Sequence, residues 1–151
     1  MTEKNGNQEE RFAKLTLLKR SENNYPDSPG ATALEVFKNL YSDRNYEITF
    51  DCPEFTSLCP VTGQPDFGHI IINYIPDALC VESKSLKLYL FSHRNSNTFH
   101  EEAVNSILNA VVAACQPRWA EVVGNFRPRG GIAINVKAST GVKPDPGYVK
   151  K

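Results

Sequence analysis

The chain has 151 residues, 40% of them hydrophobic, which fits one globular domain with an arm and a tail. Its 17 Lys and Arg balance 17 Asp and Glu, which excludes a general polyanion binder, because non-specific affinity for nucleic acid comes from neutralised phosphates. No run approaches the roughly 20 apolar residues of a membrane helix, and MTEKNGNQEE has no apolar core of a signal peptide, so a soluble, cytoplasmic protein without membrane or direct nucleic-acid partners is expected.

Residues 1–30 are polar and end in NYPDSPG; they read as a loosely ordered arm, with FAKLTLL (12–18) as a docking patch. Residues 31–139 form the predicted domain. YEITF (46–50) alternates and predicts a strand. DCPEFTSLCPVTGQPD (51–66) holds three prolines and a glycine and predicts a long irregular loop, a kind of segment that is often functional. FGHIIINYI (67–75) is rich in β-branched residues and predicts a second strand, turned by Pro76-Asp77. ESKSLKLYLFSHR (82–94) is open to strand or helix. Leu86, Tyr89 and Leu90 share a helical face, so it is read as a helix. Residues 99–115 carry an apolar stripe from Phe99 to Cys115, with Thr98 as the expected N-cap and Glu101 as the expected capping-box acid. WAEVVGNF (119–126) and IAINVKA (132–138) predict two strands joined by RPRGG. Residues 140–151 predict an extended tail.

The resulting order, ββααββ, is an α+β unit with two helices on one face of a four-stranded antiparallel sheet. The other face is also apolar, with Phe67, Ile71 and Ile75 opposing Ile70, Ile72 and Tyr74. A lone subunit would expose that face and two sheet edges, which predicts an obligate homo-oligomer closed into a barrel.

Four cysteines are scattered without a C-x-x-C pair, as expected of free thiols in a reducing compartment. Cys59 lies in the Pro/Gly loop, held extended by Pro60; it reads either as a presented nucleophile or as an apolar filler. Cys80 and Cys115 lie in apolar runs and read as core, while Cys52 stays open. Asp66, seven residues after Cys59, reads as a proton donor to whatever Cys59 attacks or as ordinary turn chemistry. Thr62, Gly63 and Gln64 suggest turn groups only. His100-Glu101-Glu102 opens the long helix, either as a cap or as groups aimed into a cleft, where a carboxylate accepts the N–H edge of an amino-pyrimidinone. Lys84 and Lys87 share a helix face, either simply solvated or binding phosphate. No Rossmann or P-loop signature and no metal-ligand spacing is present.

SLCPVTGQPD (57–66), VESKSLKLY (81–89) and FHEE (99–102) together resemble the short, single-module form of the NADPH-dependent 7-cyano-7-deazaguanine reductases. The resemblance runs from about Glu35 to Ala138; it departs at His93, where an aromatic is more usual, and residues 1–30 match nothing. It implies the tunnelling fold, whose ββααββ units assemble into rings, here two pentamers stacked as a decamer with sites between subunits. It also implies reduction of a nitrile to a primary amine with two NADPH, in the biosynthesis of queuosine, a modified tRNA nucleoside.

By that resemblance Cys59 adds to the nitrile to give a thioimide, Asp66 protonates the nitrogen and His100 assists. Glu101 holds the guanine-like edge, Phe99 stacks on the base, and Val81, Glu82 and Ser83 line the base pocket. Lys84 and Lys87 contact the cofactor through its phosphates, and no metal is used. Three alternatives stand beside it. An amidino-transfer relative acts on the same nitrile in tRNA but lacks the cofactor motif present here. A zinc-dependent GTP cyclohydrolase of the same fold needs ligand spacing that is absent. A non-catalytic ring-forming binder of purine-like bases would not need Cys59.

Overall fold

A computed structural model describes residues 25–31 and 34–149. The expected docking patch 12–18 lies outside the described residues.

The short strands β1 (Val36–Lys38) and β2 (Arg44–Asn45) precede two long ones, β3 (Ile48–Leu58) and β4 (Pro65–Ile75). A brief β5 (Leu79–Val81) leads into helix α1 (Ser83–Ser92), a 3-10 turn (His93–Asn95) and helix α2 (His100–Cys115). The chain finishes with β6 (Trp119–Phe126), β7 (Asn135–Ser139) and β8 (Gly147–Tyr148). The main sheet is antiparallel in the order β3-β4-β6-β7, while β1 pairs with β5 and β2 with β8. The expected ββααββ order is therefore present, with four small strands added that are too short to show a period. No described helix is long and apolar enough to cross a membrane.

The segment 51–66 is not the long loop its prolines suggest. Most of it is strand, and only the turn 59–64 separates β3 from β4. Proline removes a ladder donor, but β3 is an edge strand and Pro53 falls in a bulge between Cys52 and Phe55, where pairing is already interrupted. Pro65 occupies the first position of β4, which tolerates it for the same reason.

Alternation in β4 sends Ile70, Ile72 and Tyr74 under the helices, where they pack with Val104, Ile107 and Val111 of α2 and with Ala120 and Val122 of β6. Phe67 is exposed on the other face, with the Arg127 guanidinium over its ring at 5.9 Å. Ile75, expected on that open face, is instead buried beside its partner Trp119, at the end where the chain after β7 returns and Gly141 accepts the indole N–H at 3.2 Å. The tail thus docks back through β8 rather than running free. Cys80 and Cys115 are core residues, as read from their apolar runs, and Cys52 is half-buried on β3 with its thiol pKa raised, chiefly by burial.

At the end of α1, His93 packs as an aromatic ring would. The ring is 2% exposed and lies 5.3 Å from the Phe55 ring and 5.2 Å from the Tyr89 ring, with neither nitrogen hydrogen-bonded among the described residues. It fills a slot shaped for an aromatic. Burial lowers its pKa from 6.5 to about 4, so the folded protein holds it neutral. The unfolded chain takes up a proton below about pH 6.5. Stability is thus full above that pH and falls as the pH drops toward 4, by roughly 3 kcal/mol in all. His93→Phe is expected to remove most of this slope, measured by urea unfolding at pH 7.5 and pH 5. An unchanged slope would assign the acid sensitivity to other groups.

Candidate active site

The turn between β3 and β4 is closed by two backbone bonds, Cys59 N–H to Gln64 O at 2.8 Å and Gly63 N–H to Cys59 O at 2.9 Å. Gly63 has φ 68°, the left-handed region that a side chain resists. The turn is further tied to the strap before α2, because Leu58 donates to Ser96 O and accepts from Thr98 N–H, each at 3.0 Å. Cys59 therefore sits on a short, fully bonded turn. Its thiol pKa is lowered to about 7, first by the Thr62 hydroxyl, then by the Thr62 and Val61 backbone amides, with Arg129 adding a smaller pull. A large share of this thiol is thus thiolate near neutral pH. Thr62, read from the sequence as a turn residue only, is the main stabiliser of that charge.

Asp66 is the second residue of β4, across from Ser57, and is only 6% exposed. Arg129 Nε lies 2.8 Å from its Oδ1 and His100 Nε2 lies 3.2 Å from the same atom. The His100 contact is out of line for a hydrogen bond, so that buried nitrogen has no hydrogen-bond partner among the described residues and is open to another group. The His100 ring is stacked on Phe126, with centroids 3.9 Å apart and planes 11° apart. Phe126 fits there because β4 has Gly68 beneath it. A Cβ on Gly68 would lie 2.8 Å from Phe126 Cδ1 and 3.0 Å from Cε1. Gly68→Ala is expected to push Phe126 against His100 and slow turnover about ten-fold with little loss of folding. Steady-state rates beside a thermal melt check this, and an unchanged rate would show that the stack does not place His100.

The start of α2 corrects the expected capping. Phe99, not Thr98, is the N-cap, and Glu102, not Glu101, is the returning acid: its Oε2 accepts from Phe99 N–H at 3.2 Å. Glu101 is exposed, with no carboxylate partner among the described residues. It is therefore free to bind a ligand. Phe99 is 49% exposed beside it, an aromatic surface at the site's mouth. Cys59, Asp66, Phe99, His100 and Glu101 are thus brought to one end of the sheet by two turns tied together through Leu58.

The other expected residues lie elsewhere. Val81 is buried in the core, with its N–H donated to Tyr74 Oη at 3.0 Å. Glu82 caps α1, accepting from Lys84 N–H and Ser85 N–H, each at 2.8 Å, and these bonds hold its pKa below the usual carboxylate value. Ser83 is exposed. This group begins the ten-residue α1, and the Cys59 turn is tied to the strap beyond its far end. A helix of that length spans about 15 Å, more than one fused bicyclic base. Lys84 and Lys87 are exposed on α1, and Lys87 lines a groove of about 300 Å³ together with Cys52, Phe55, Leu90, Phe91 and Arg94. Cations over an apolar floor suit a dinucleotide, whose phosphates need charge and whose rings need apolar contact.

Sequence reading missed Arg129 and Phe126. RPRGG was assigned only to a hairpin, and nothing local shows that this hairpin closes over the Cys59 turn. The one available signal was an Arg placed directly before Gly-Gly.

A family model for QueF-like protein matches residues 65–145. The NADPH-dependent 7-cyano-7-deazaguanine reductase of Streptococcus thermophilus is 56% identical over 128 residues, covering 85% of this chain and 78% of that protein. The protein of the same name from Staphylococcus epidermidis is 48% identical over 145 residues, covering 96% of this chain and 87% of its own. That of Porphyromonas gingivalis is 56% identical over 120 residues, covering 80% and 77%. Among solved structures, an archaeosine synthase QueF-Like in its apo form superposes with a TM-score of 0.58 at 24% identity, over 66% of this chain and 96% of that one, a likeness in fold. With identities near one half across most of the chain, the protein belongs to the NADPH-dependent 7-cyano-7-deazaguanine reductase family.

Proposed function

We propose that this protein reduces the nitrile of 7-cyano-7-deazaguanine to the aminomethyl group, consuming two NADPH, as a step toward queuosine. The observation that carries the reading is the meeting of a thiol of lowered pKa with a buried carboxyl group and a histidine, in a chain of this family. A nitrile carbon is a weak electrophile, so splitting the reduction through a covalent adduct lowers its barrier. The Cys59 sulfur bonds to the nitrile carbon, one C–N π bond breaks, and the nitrogen takes a proton from the Asp66–His100 pair. The product is a thioimide. NADPH supplies hydride at that carbon, once to the thioimide and once more to the imine left when the sulfur departs as thiolate. A proton reaches the nitrogen with each reduction.

Glu101 accepts the N–H edge of the base and Phe99 stacks on its ring. Lys84 and Lys87 hold the cofactor's phosphates above the α1 groove. Val81, Glu82 and Ser83 serve the base pocket of a neighbouring subunit, since they open α1 while the Cys59 turn is tied to the strap beyond its far end. That separation, the exposed Phe37, Leu40, Tyr41 and Phe67, and the open edges of β3 and β7 support the ring of tunnelling-fold units, two pentamers in a decamer.

The test is NADPH oxidation with and without the cyano-base. Two equivalents oxidised per equivalent of base, and none without it, is expected. Consumption of the base without NADPH oxidation would favour amidino transfer, and binding with no conversion would favour a passive base binder.

A further inference from the structure

We propose that Arg129 is a positioning residue, which braces the Cys59 turn and fixes the Asp66 carboxyl group for addition to the nitrile. The local sequence is built to deliver it. Gly130 and Gly131 have φ 57° and 80°, two successive left-handed residues that make the tightest hairpin turn. Arg129 and Ile132 exchange both backbone hydrogen bonds across it, each 3.0 Å. Two residues earlier the chain is tied down too, since Arg127 N–H donates to Phe67 O at 2.9 Å. The hairpin is thus fastened to β4 just beyond Asp66.

From that base the guanidinium makes a forked set of contacts. Its Nε lies 2.8 Å from Asp66 Oδ1, and one Nη donates to Pro65 O at 2.9 Å and Gln64 O at 3.2 Å. Gln64 O is also the acceptor of the Cys59 N–H, so the same carbonyl closes the turn from both sides. A planar fork of fixed donors suits this arrangement in a way an ammonium does not. The groups that act on the sulfur are therefore Arg129, which also contacts Asp66, and the Thr62 and Val61 donors on the turn itself. Releasing Arg129 frees the Pro65 carbonyl and leaves Gln64 O to the Cys59 N–H alone, which loosens the turn that holds the Thr62 donors at the sulfur. It also leaves Asp66 free to rotate.

The inference rests on the reading of Cys59 as nucleophile, and the test separates the two. In the purified full-length protein, Cys59 alkylation by iodoacetamide is followed by peptide mass across pH, without NADPH. Adduct formation with 7-cyano-7-deazaguanine is followed by intact mass. Arg129→Ala is expected to raise the alkylation midpoint by at least about half a unit and to slow the adduct about ten-fold near pH 7. Arg129→Lys, which keeps the charge but not the fork, is expected to recover only part of both. It also supplies the readout if the alanine variant folds poorly by thermal melt. Wild-type midpoint and adduct rate in either folded variant would overturn the positioning role, whatever happens to NADPH affinity. A wild-type protein that forms no adduct would instead overturn the nucleophile.

Discussion

Cys59→Ala is expected to abolish the covalent adduct with 7-cyano-7-deazaguanine and to lower turnover by a factor on the order of 10⁴ or more, because no other group takes over a lost nucleophile. The competing thiols are poorly placed. Cys115 is buried, its pKa pushed up to about 11 by burial, Cys80 is buried, and the Cys52 thiol is raised by burial on β3. Only the turn that carries Cys59 combines access with donors facing the sulfur. Intact mass without NADPH gives a direct reading, since the adduct accumulates when hydride is withheld. An adduct that persists in Cys59→Ala would move the nucleophile to another residue. With respect to this thiol, activity should rise about two-fold from pH 7 to a plateau above about pH 8 and should fall below pH 7, as the thiolate of pKa about 7 is protonated.

Asp66→Asn is expected to slow adduct formation by roughly 10²–10³-fold while leaving assembly and melting temperature close to wild type. The amide preserves the size of the side chain and an oxygen for Arg129. It cannot give up a proton as the nitrile nitrogen gains negative charge. Replacement by alanine would be less informative, because Arg129 and His100 would lose the oxygen that both now face. Stopped-flow absorbance of the thioimide, beside size-exclusion chromatography, distinguishes the chemical loss from a structural one. A wild-type rate in a folded Asp66→Asn protein would leave His100 as the proton source.

Periodicity was sufficient for the large elements. The α2 stripe and the alternation of β4 each report a single buried face, and that is a local property of spacing. Proline punctuation was not sufficient. It predicts a break at 51–66, yet a proline at a bulge or a strand's first residue leaves no ladder acceptor unmet, so most of the segment stays in the sheet. The capping acid was displaced by one residue for a related reason. Spacing from Thr98 indicates Glu101, but the backbone enters the helix at Phe99, which hands the cap to Glu102 and frees Glu101 for a ligand.

From its residues alone the chain determined the α+β order of its main elements, the family to which Cys59, Asp66 and FHEE point, and the presence of a thiol on a constrained segment. Tertiary structure alone decided that Arg129 meets Asp66 and that Phe126 stacks on His100. Spacing encodes which side a residue faces within its own element. Which elements then meet depends on bulges, glycine clearances and turn closures, and a one-residue change in any of them redirects the side chains that do the chemistry.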